Sequence, residues 1–287
     1  MARTEMNPLR AQPAPYKMKD TTLLVVTHLP DDDSDYHKDR MEVVQTCLTS
    51  MRNGAKRDHT FMVWDNGSKD TFKEWLYNEF QPDITIFSKN IGKNQARANA
   101  IRMMPLSSIV AYSDDDFYYY DNWLSPQIKI LNHFSAQLVT GYPIRTMFRW
   151  GCESTINWSN KHGKLEKGIF MPEQWERDYA VSIGRDPNLH MNEHLTKDDF
   201  DYRVSYNGSQ AYCVGHHAQF VGYVAKLLPA LNADSSLAMP DEKQFDIAQS
   251  KLGIRLATTD RLCRHIGNVI HDELRKEIFQ DDTLVQV

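Results

Sequence analysis

Dense apolar runs alternate with helical patterns through the first half of the chain. Residues 21–29 form a β-branched and aliphatic run of the kind that makes a strand buried on both faces. Residues 39–54 follow, with Val44, Cys47, Leu48 and Met51 at helical spacing and Asn53-Gly54 as a stop. A second strand is expected over 60–64, halted at once by Asp65-Asn66-Gly67-Ser68. Ser68 or Asp70 then suits the cap of a helix burying Phe72, Trp75 and Leu76. A third strand over 83–87 leads through a glycine loop to a helix over 94–104, and a fourth over 108–112 ends in Ser113-Asp114-Asp115-Asp116. A helix over 123–134 carries Leu124, Ile128 and Leu131 on one face, and a strand near 137–140 follows it.

This alternation predicts an α/β fold with a mostly parallel sheet flanked by helices. In such sheets ligands sit outside the carboxyl ends of the strands, which is where the polar clusters fall. From Gly141 onward the pattern is less regular and rich in Trp, His and Asn. A helix over 241–251, with Phe245, Ala248 and Leu252 inward, is stopped by Gly253 before a short run at 254–258. The final helix, over 268–279, is charged on one side and suits either packing back or a homodimer contact. The expected division is an arm at 1–19, a ligand-binding half at 20–140, and a half at 141–287 that continues the same domain.

Composition narrows the class. Apolar residues make up 41% of the chain, enough for a sizeable interior, and 33 Lys and Arg against 38 Asp and Glu leave a net charge of −5. That balance disfavours a broad electrostatic grip on nucleic acid. Cys47, Cys152, Cys213 and Cys263 lie far apart with no paired spacing, so buried reduced thiols are expected rather than a zinc cluster or disulfides. The polar, proline-bearing start does not read as a secretory signal, and no run approaches the roughly 20 apolar residues that span a bilayer. A soluble, cytoplasmic protein is the expectation.

Three segments carry candidate chemistry. Asp114, Asp115 and Asp116 close an apolar strand, and adjacent like charges are disfavoured unless solvent, basic groups or a cation relieve them. Their oxygen ligands suit Mg2+ or Mn2+, which completes its shell with phosphate oxygens. A solvated acidic turn would carry the same residues. Asp65, with Asn66 and Gly67 behind it, could accept hydrogen bonds from a nucleobase; an ordinary Asn-Gly turn reads the same way. Gly92 before a helix, with Lys93 and Arg97 close by, could hold a diphosphate.

Together and in this order, these segments resemble the family-2 glycosyltransferases of the GT-A (Rossmann-like) fold. The matching residues are Thr27-His28-Leu29-Pro30, Asp65-Asn66-Gly67-Ser68, Gly92 through Asn99, Asp114-Asp115-Asp116, and the stretch on to Trp123-Leu124. The resemblance covers about residues 20–135. It implies a nucleotide-sugar-binding first half, an acceptor-binding second half that supplies the catalytic base, and transfer of a sugar from a nucleotide diphosphate sugar. Asp65 would read the donor base, Thr27 and Asn66 would lie in the same pocket, and Lys93 and Arg97 would face the diphosphate. Asp114 would contact the donor sugar or ribose beside Asp115, and Asp116 would bind the metal. Asn66 stands where the family carries a second carboxylate, and the Ala-Arg-Asn arrangement is shifted to Ala-Arg-Ala-Asn.

An inverting enzyme needs a carboxylate to take the acceptor hydroxyl's proton. In the family this group opens a late helix about a dozen residues before a glycine, which matches Glu242, with Asp241 a close rival. Simple dipole complementarity at a helix start would place the same charges there. His265 resembles the family's C-terminal metal ligand, with His271 the less favoured alternative. His216-His217 is a conspicuous pair, expected to point to opposite faces of a strand and to line a pocket at most. The acceptor stays open among a glycan, a small molecule and a modified nucleobase; Tyr142, Trp150, Trp158 and Trp175 offer stacking faces. A retaining transferase and a non-catalytic nucleotide-sugar-binding module are the competing readings, while a sugar nucleotidyltransferase lacks its early glycine-rich, Lys-containing loop.

Overall fold

Alternate side chains of the early strands find separate cores on the two faces of one sheet. In the computed structural model, which describes residues 16–31, 34, 37–149, 151–194, 200–234 and 242–280, the first strand, β1 (Thr21–Thr27), is buried along its whole length. Helix α1 (Arg40–Gly54) leads to β2 (Thr60–Asn66), equally buried. Leu23, Val25, Phe61 and Val63 face the core shared with α1, while Leu24, Val26, Met62 and Trp64 face the other. A strand lined on both sides must read as a continuous apolar run, as it does here.

Helix α2 (Asp70–Trp75) runs on as a π-turn over Leu76–Phe80 and is followed by β3 (Ile84–Ser88). Neither Ser68 nor Asp70 caps α2: the N-cap is Lys69, without a side-chain cap bond, and Ser68 Oγ accepts the Leu29 amide instead (2.9 Å). Next come α3 (Lys93–Arg102), β4 (Ile109–Ser113), the short β5 (Phe117–Tyr119), α4 (Leu124–His133) and β6 (Leu138–Thr140). The second half holds α5 (Glu153–His162), β7 (Lys164–Gly168), α6 (Glu173–Ser182), α7 (Pro187–His194), β8 (Asp201–Tyr206), β9 (Ser209–Tyr212) and β10 (Gln219–Tyr223). It ends with α8 (Val224–Asp234), α9 (Glu242–Leu252), β11 (Arg255–Ala257), β12 (Cys263–His265) and α10 (Asp272–Gln280).

Ten strands form one sheet in the order β3-β2-β1-β4-β10-β6-β11-β9-β8-β7. The pairs β1–β2, β2–β3, β1–β4 and β6–β11 are parallel, and β10 runs antiparallel between β4 and β6. The stretch expected to be irregular therefore carries an antiparallel meander, β7–β8–β9, and a central strand. Its strands are short and half polar, so no period stands out in the sequence. The four cysteines are buried and free, as expected. Phe245 is fully buried on α9, but Leu252, expected inward, is 48% exposed because the helix ends there. No helix among the described residues is long and apolar enough to cross a membrane.

A second, two-stranded ladder matters more for chemistry. β12 pairs antiparallel with β5, setting His265 opposite Phe117, and the Ile266 amide donates to the Asp116 carbonyl (2.7 Å). Gly267 lets α6 close over this ladder: its φ is +78°, and a Cβ there would lie 1.9 Å from the Ser182 carbonyl oxygen. A side chain meets both backbone strain and a fixed backbone oxygen. Gly267→Ala is therefore expected to destabilise the fold by about 2 kcal/mol or more, seen as a drop in Tm of several degrees by calorimetry. An unchanged Tm would contradict the close approach.

Candidate active site

The carboxyl ends of β1, β2 and β4 converge on one rim, and the sequence-expected residues gather there. Asp65, at the end of β2, is fully buried. Its carboxylate accepts the Ser68 amide (3.2 Å) and faces Thr27 Oγ1 of β1 (3.5 Å). Burial pushes the Asp65 carboxyl up from its ordinary value, and the bonds from Ser68 oppose this only in part. The turn closes on Gly67, whose φ of +86° and neighbouring Asn90 amide (2.8 Å from an added Cβ) leave no room for a side chain. Asn66 is tied into the next loop: its Oδ1 accepts the Ile91 amide (2.9 Å) and its Nδ2 donates to Asn90 Oδ1 (3.1 Å). That bracing holds the loop from which Lys93 starts α3.

Beyond β4, each of the three successive carboxylates meets a basic side chain from a different element. Asp114 accepts Lys93 Nζ of α3 (3.1 Å) and the Tyr112 hydroxyl (2.6 Å). Asp115 is paired with Arg40 of α1 and accepts the His28 amide (3.3 Å). Burial raises its carboxyl even so, with Arg40 pulling the other way. Asp116 lies 3.3 Å from His265 Nε2. Burial alone would raise the Asp116 carboxyl, but the charge and hydrogen bond of His265 outweigh it and hold it near about 2. His271 is exposed just before α10, so the imidazole that meets Asp116 is His265.

Lys93 and Arg97, treated alike in the sequence, differ in place. Lys93 bridges Asp114 and Glu242, and although burial alone would lower its ammonium, those two carboxylates raise it. Arg97 is fully buried, its guanidinium 4.3 Å from the Phe245 ring centroid and 5.1 Å from that of Tyr112. It donates to Asn94 Oδ1 (3.0 Å) and to the His217 carbonyl (3.4 Å), so it secures the loop beneath the rim.

Glu242 opens α9 and reaches this rim, whereas Asp241 lies outside the described residues. One Glu242 oxygen meets Lys93 and the other lies 3.0 Å from His217 Nε2. Burial would raise the Glu242 carboxyl, but the His217 bond and the Lys93 charge hold it well below the usual carboxylate range. The histidine pair does not sit on a strand; it lies in the loop between β9 and β10. His216 is buried, its Nε2 against the Tyr142 carbonyl (3.1 Å), and burial lowers it to about 4. His217 faces Asp246 of α9 through Nδ1 (2.8 Å), and Asp246 is in turn 2.8 Å from Arg255 of β11. Sequence reasoning missed Arg40 and Asp246 and gave His217 no more than a place in a pocket lining; Asp246 left a trace, four residues after Glu242 on the same helical face.

For a divalent cation the donor set is small. Among the described residues no group of three or more His, Cys, Asp and Glu side chains is arranged for a metal. Asp116 and His265 nevertheless fit one: Asp116 Oδ1 is buried without a hydrogen-bond partner, and His265 Nδ1 is engaged by Ser182 Oγ (2.7 Å), which turns Nε2 toward Asp116. Two protein ligands suffice where phosphate oxygens complete the shell. Of the aromatic residues proposed for stacking, Trp158 packs against Phe134 and Tyr206, Tyr142 is buried, and Trp175 is partly buried 5.8 Å from Arg261; Trp150 lies outside the described residues.

Residues 37–178, about half of the chain, match the family described as glycosyl transferase family 2. No curated protein sequence matches the chain. Similar solved structures include S. aureus TarS 1-349 (12% identity, 92% of this chain and 64% of that chain, TM-score 0.46). The same TarS segment in complex with UDP-GlcNAc is 11% identical over 92% of this chain and 65% of that chain, with a TM-score of 0.48. GalNAc-T7 with UDP, GalNAc and Mn2+ is 12% identical over 85% of this chain and 42% of that chain, with a TM-score of 0.47. The chain thus spans less than two thirds of each of those chains. The matched segment contains α1, the Asp65 turn, the α3 loop and the β4 carboxylates, and with them the chain belongs to glycosyl transferase family 2.

Proposed function

We propose that this chain transfers a sugar from a nucleotide diphosphate sugar to a hydroxyl acceptor, with inversion at the anomeric carbon. The observation that carries this is the line of charged groups at the end of β4: Asp114, Lys93 and Glu242 in contact, with Asp116 and His265 beside them. Thr27, Asp65 and Asn66 shape the nucleoside end of the donor site. Asp65 is engaged by its own turn, so its part is to fix the base-binding edge as much as to read it. Lys93 meets the diphosphate, and Arg97 supports it from below. Asp114 takes the donor sugar or ribose, and Asp115 anchors the segment to α1.

Mn2+ or Mg2+ held by Asp116 and His265 would neutralise charge on the departing diphosphate. The acceptor oxygen attacks the anomeric carbon as the bond to the diphosphate oxygen breaks, and Glu242 receives the acceptor's proton. In the present arrangement Glu242 is clamped between Lys93 and His217, which makes it a weak base. A donor diphosphate that draws Lys93 to itself removes one clamp and raises the basicity of Glu242 when it is needed. The clamp also supports a second reading, a retaining transfer in which Glu242 only positions the acceptor. Comparing the anomeric configuration of product and donor separates the two.

Two substitutions test the assignment against a panel of nucleotide diphosphate sugars with Mn2+. Asp116→Ala should lower metal-dependent donor turnover by about 10²–10³-fold, and full turnover would refute the role of Asp116. Glu242→Gln keeps the shape but cannot accept a proton, so kcat should fall by about 10²–10⁴-fold with donor affinity retained. Binding of donor without turnover by the unaltered chain would instead support a non-catalytic module.

A further inference from the structure

His217 sits between two carboxylates that α9 presents four residues apart, on one face of the helix. Its Nε2 lies 3.0 Å from Glu242 Oε2 and its Nδ1 lies 2.8 Å from Asp246 Oδ2. An ionised carboxylate only accepts hydrogen bonds, so both ring nitrogens must carry a proton for both contacts to be bonds. Asp246 is itself 3% exposed and pinned by Arg255 Nη1 at 2.8 Å, and Arg255 is tied to the Gly215 carbonyl (2.5 Å) of the loop that carries His217. Arg97 of α3 grips the same loop at the His217 carbonyl (3.4 Å). The loop backbone is thus held on two sides while the imidazole meets a carboxylate at each nitrogen.

We propose that His217 and Asp246 are a positioning pair for Glu242, in which Asp246 holds the imidazole as a fixed cation and the cation orients one oxygen of Glu242. This rests on the reading of Glu242 as the group that receives the acceptor's proton. The division of work is geometric. Lys93 and His217 grip different oxygens of Glu242, so loss of Lys93 to a phosphate leaves the carboxylate held by His217 alone. Without the pair, a Glu242 side chain 34% exposed at a helix start would be free to change rotamer once Lys93 left.

Other charged and titratable groups face the pair from every side. Lys93 comes from α3, Tyr112 from β4 and Tyr179 from α6, and all three act electrostatically with Glu242. His216, the preceding residue, has its ring centroid 6.0 Å from that of His217 and is held neutral by burial. Burial alone would lower His217, but its bonds to Asp246 and Glu242 outweigh that and raise it to about 9. The sign follows: the imidazole stays charged through neutral pH and loses its proton only as pH rises through about 9.

The test is an ¹⁵N-histidine titration of the full chain from pH 5 to 10, with the His217 signal assigned by His217→Gln. The expected result is an imidazolium through neutral pH in the unaltered protein, and a midpoint at least one unit lower in Asp246→Asn. In transfer assays, His217→Gln and Asp246→Asn should each lower kcat about tenfold or more with the donor KM unchanged, and His217→Gln, which removes the cation beside Glu242, should also move the acid limb of the pH profile up. A merely structural pair would lower Tm in both variants without moving that limb in His217→Gln. A His217 midpoint near the ordinary 6.5, or an Asp246→Asn protein in which it does not move, overturns the pair. If the pair titrates as expected while Glu242→Gln retains full transfer, the base assignment fails and the positioning role falls with it.

Discussion

Three consecutive carboxylates at the end of one strand are costly unless solvent, basic groups or a cation relieve them. In this chain that constraint organises the site: Lys93, Arg40 and His265 come from α3, α1 and β12, and each takes one of Asp114, Asp115 and Asp116. The Coulomb cost of the cluster is met by recruiting three separate parts of the fold to one corner. The pairs are not equivalent. Arg40–Asp115 is deeply buried, and removing either member would leave a buried charge at a cost of about 3–5 kcal/mol. Lys93–Asp114 is more open, with Lys93 38% exposed, and suits exchange for a ligand's anion. One acidic run thus holds a deeply buried pair beside a more open one.

The same logic extends from Lys93 through Glu242, His217 and Asp246 to Arg255, with charges alternating in sign along the row. Alternation lets groups that would be costly singly in a low-dielectric setting support one another. It also joins the two halves of the chain on one face of the sheet. α3 belongs to the parallel half, while α9 and β11 come from the second half of the chain, so the row is closed by elements distant in sequence.

Much of this was legible from residue pattern. The parallel strands announced themselves because burial on both faces demands unbroken apolar runs, as at Leu23 to Val26. Asp65, Lys93, Asp116, Glu242 and His265 were named from ordered motifs, and the fold brings Asp116 to His265 and Lys93 to Glu242. The meander β7–β8–β9 was hidden because alternation over four to six half-buried residues is too brief to register. Arg40 was invisible because nothing in a surface-like helix start says that its side chain turns inward to Asp115. His217 was misjudged for another reason: a rule for strand residues was applied to what is a loop, where consecutive side chains need not diverge. Ser68 was assigned to a helix cap because its type suits one, yet the Leu29 amide claims its hydroxyl.

The β5–β12 ladder bears on how the molecule comes into being. It joins residues 117 and 265, about 150 positions apart. On a ribosome adding about 5–20 residues per second, the Asp-rich segment would emerge roughly 7–30 s before the histidine that completes its corner. Through that interval Arg40 and Lys93 are already made, but Asp116 waits without its imidazole, and the α9 carboxylate appears only near the interval's end. The nascent first half can therefore assemble its strands and two of its ion pairs, while the Asp116–His265 corner closes later.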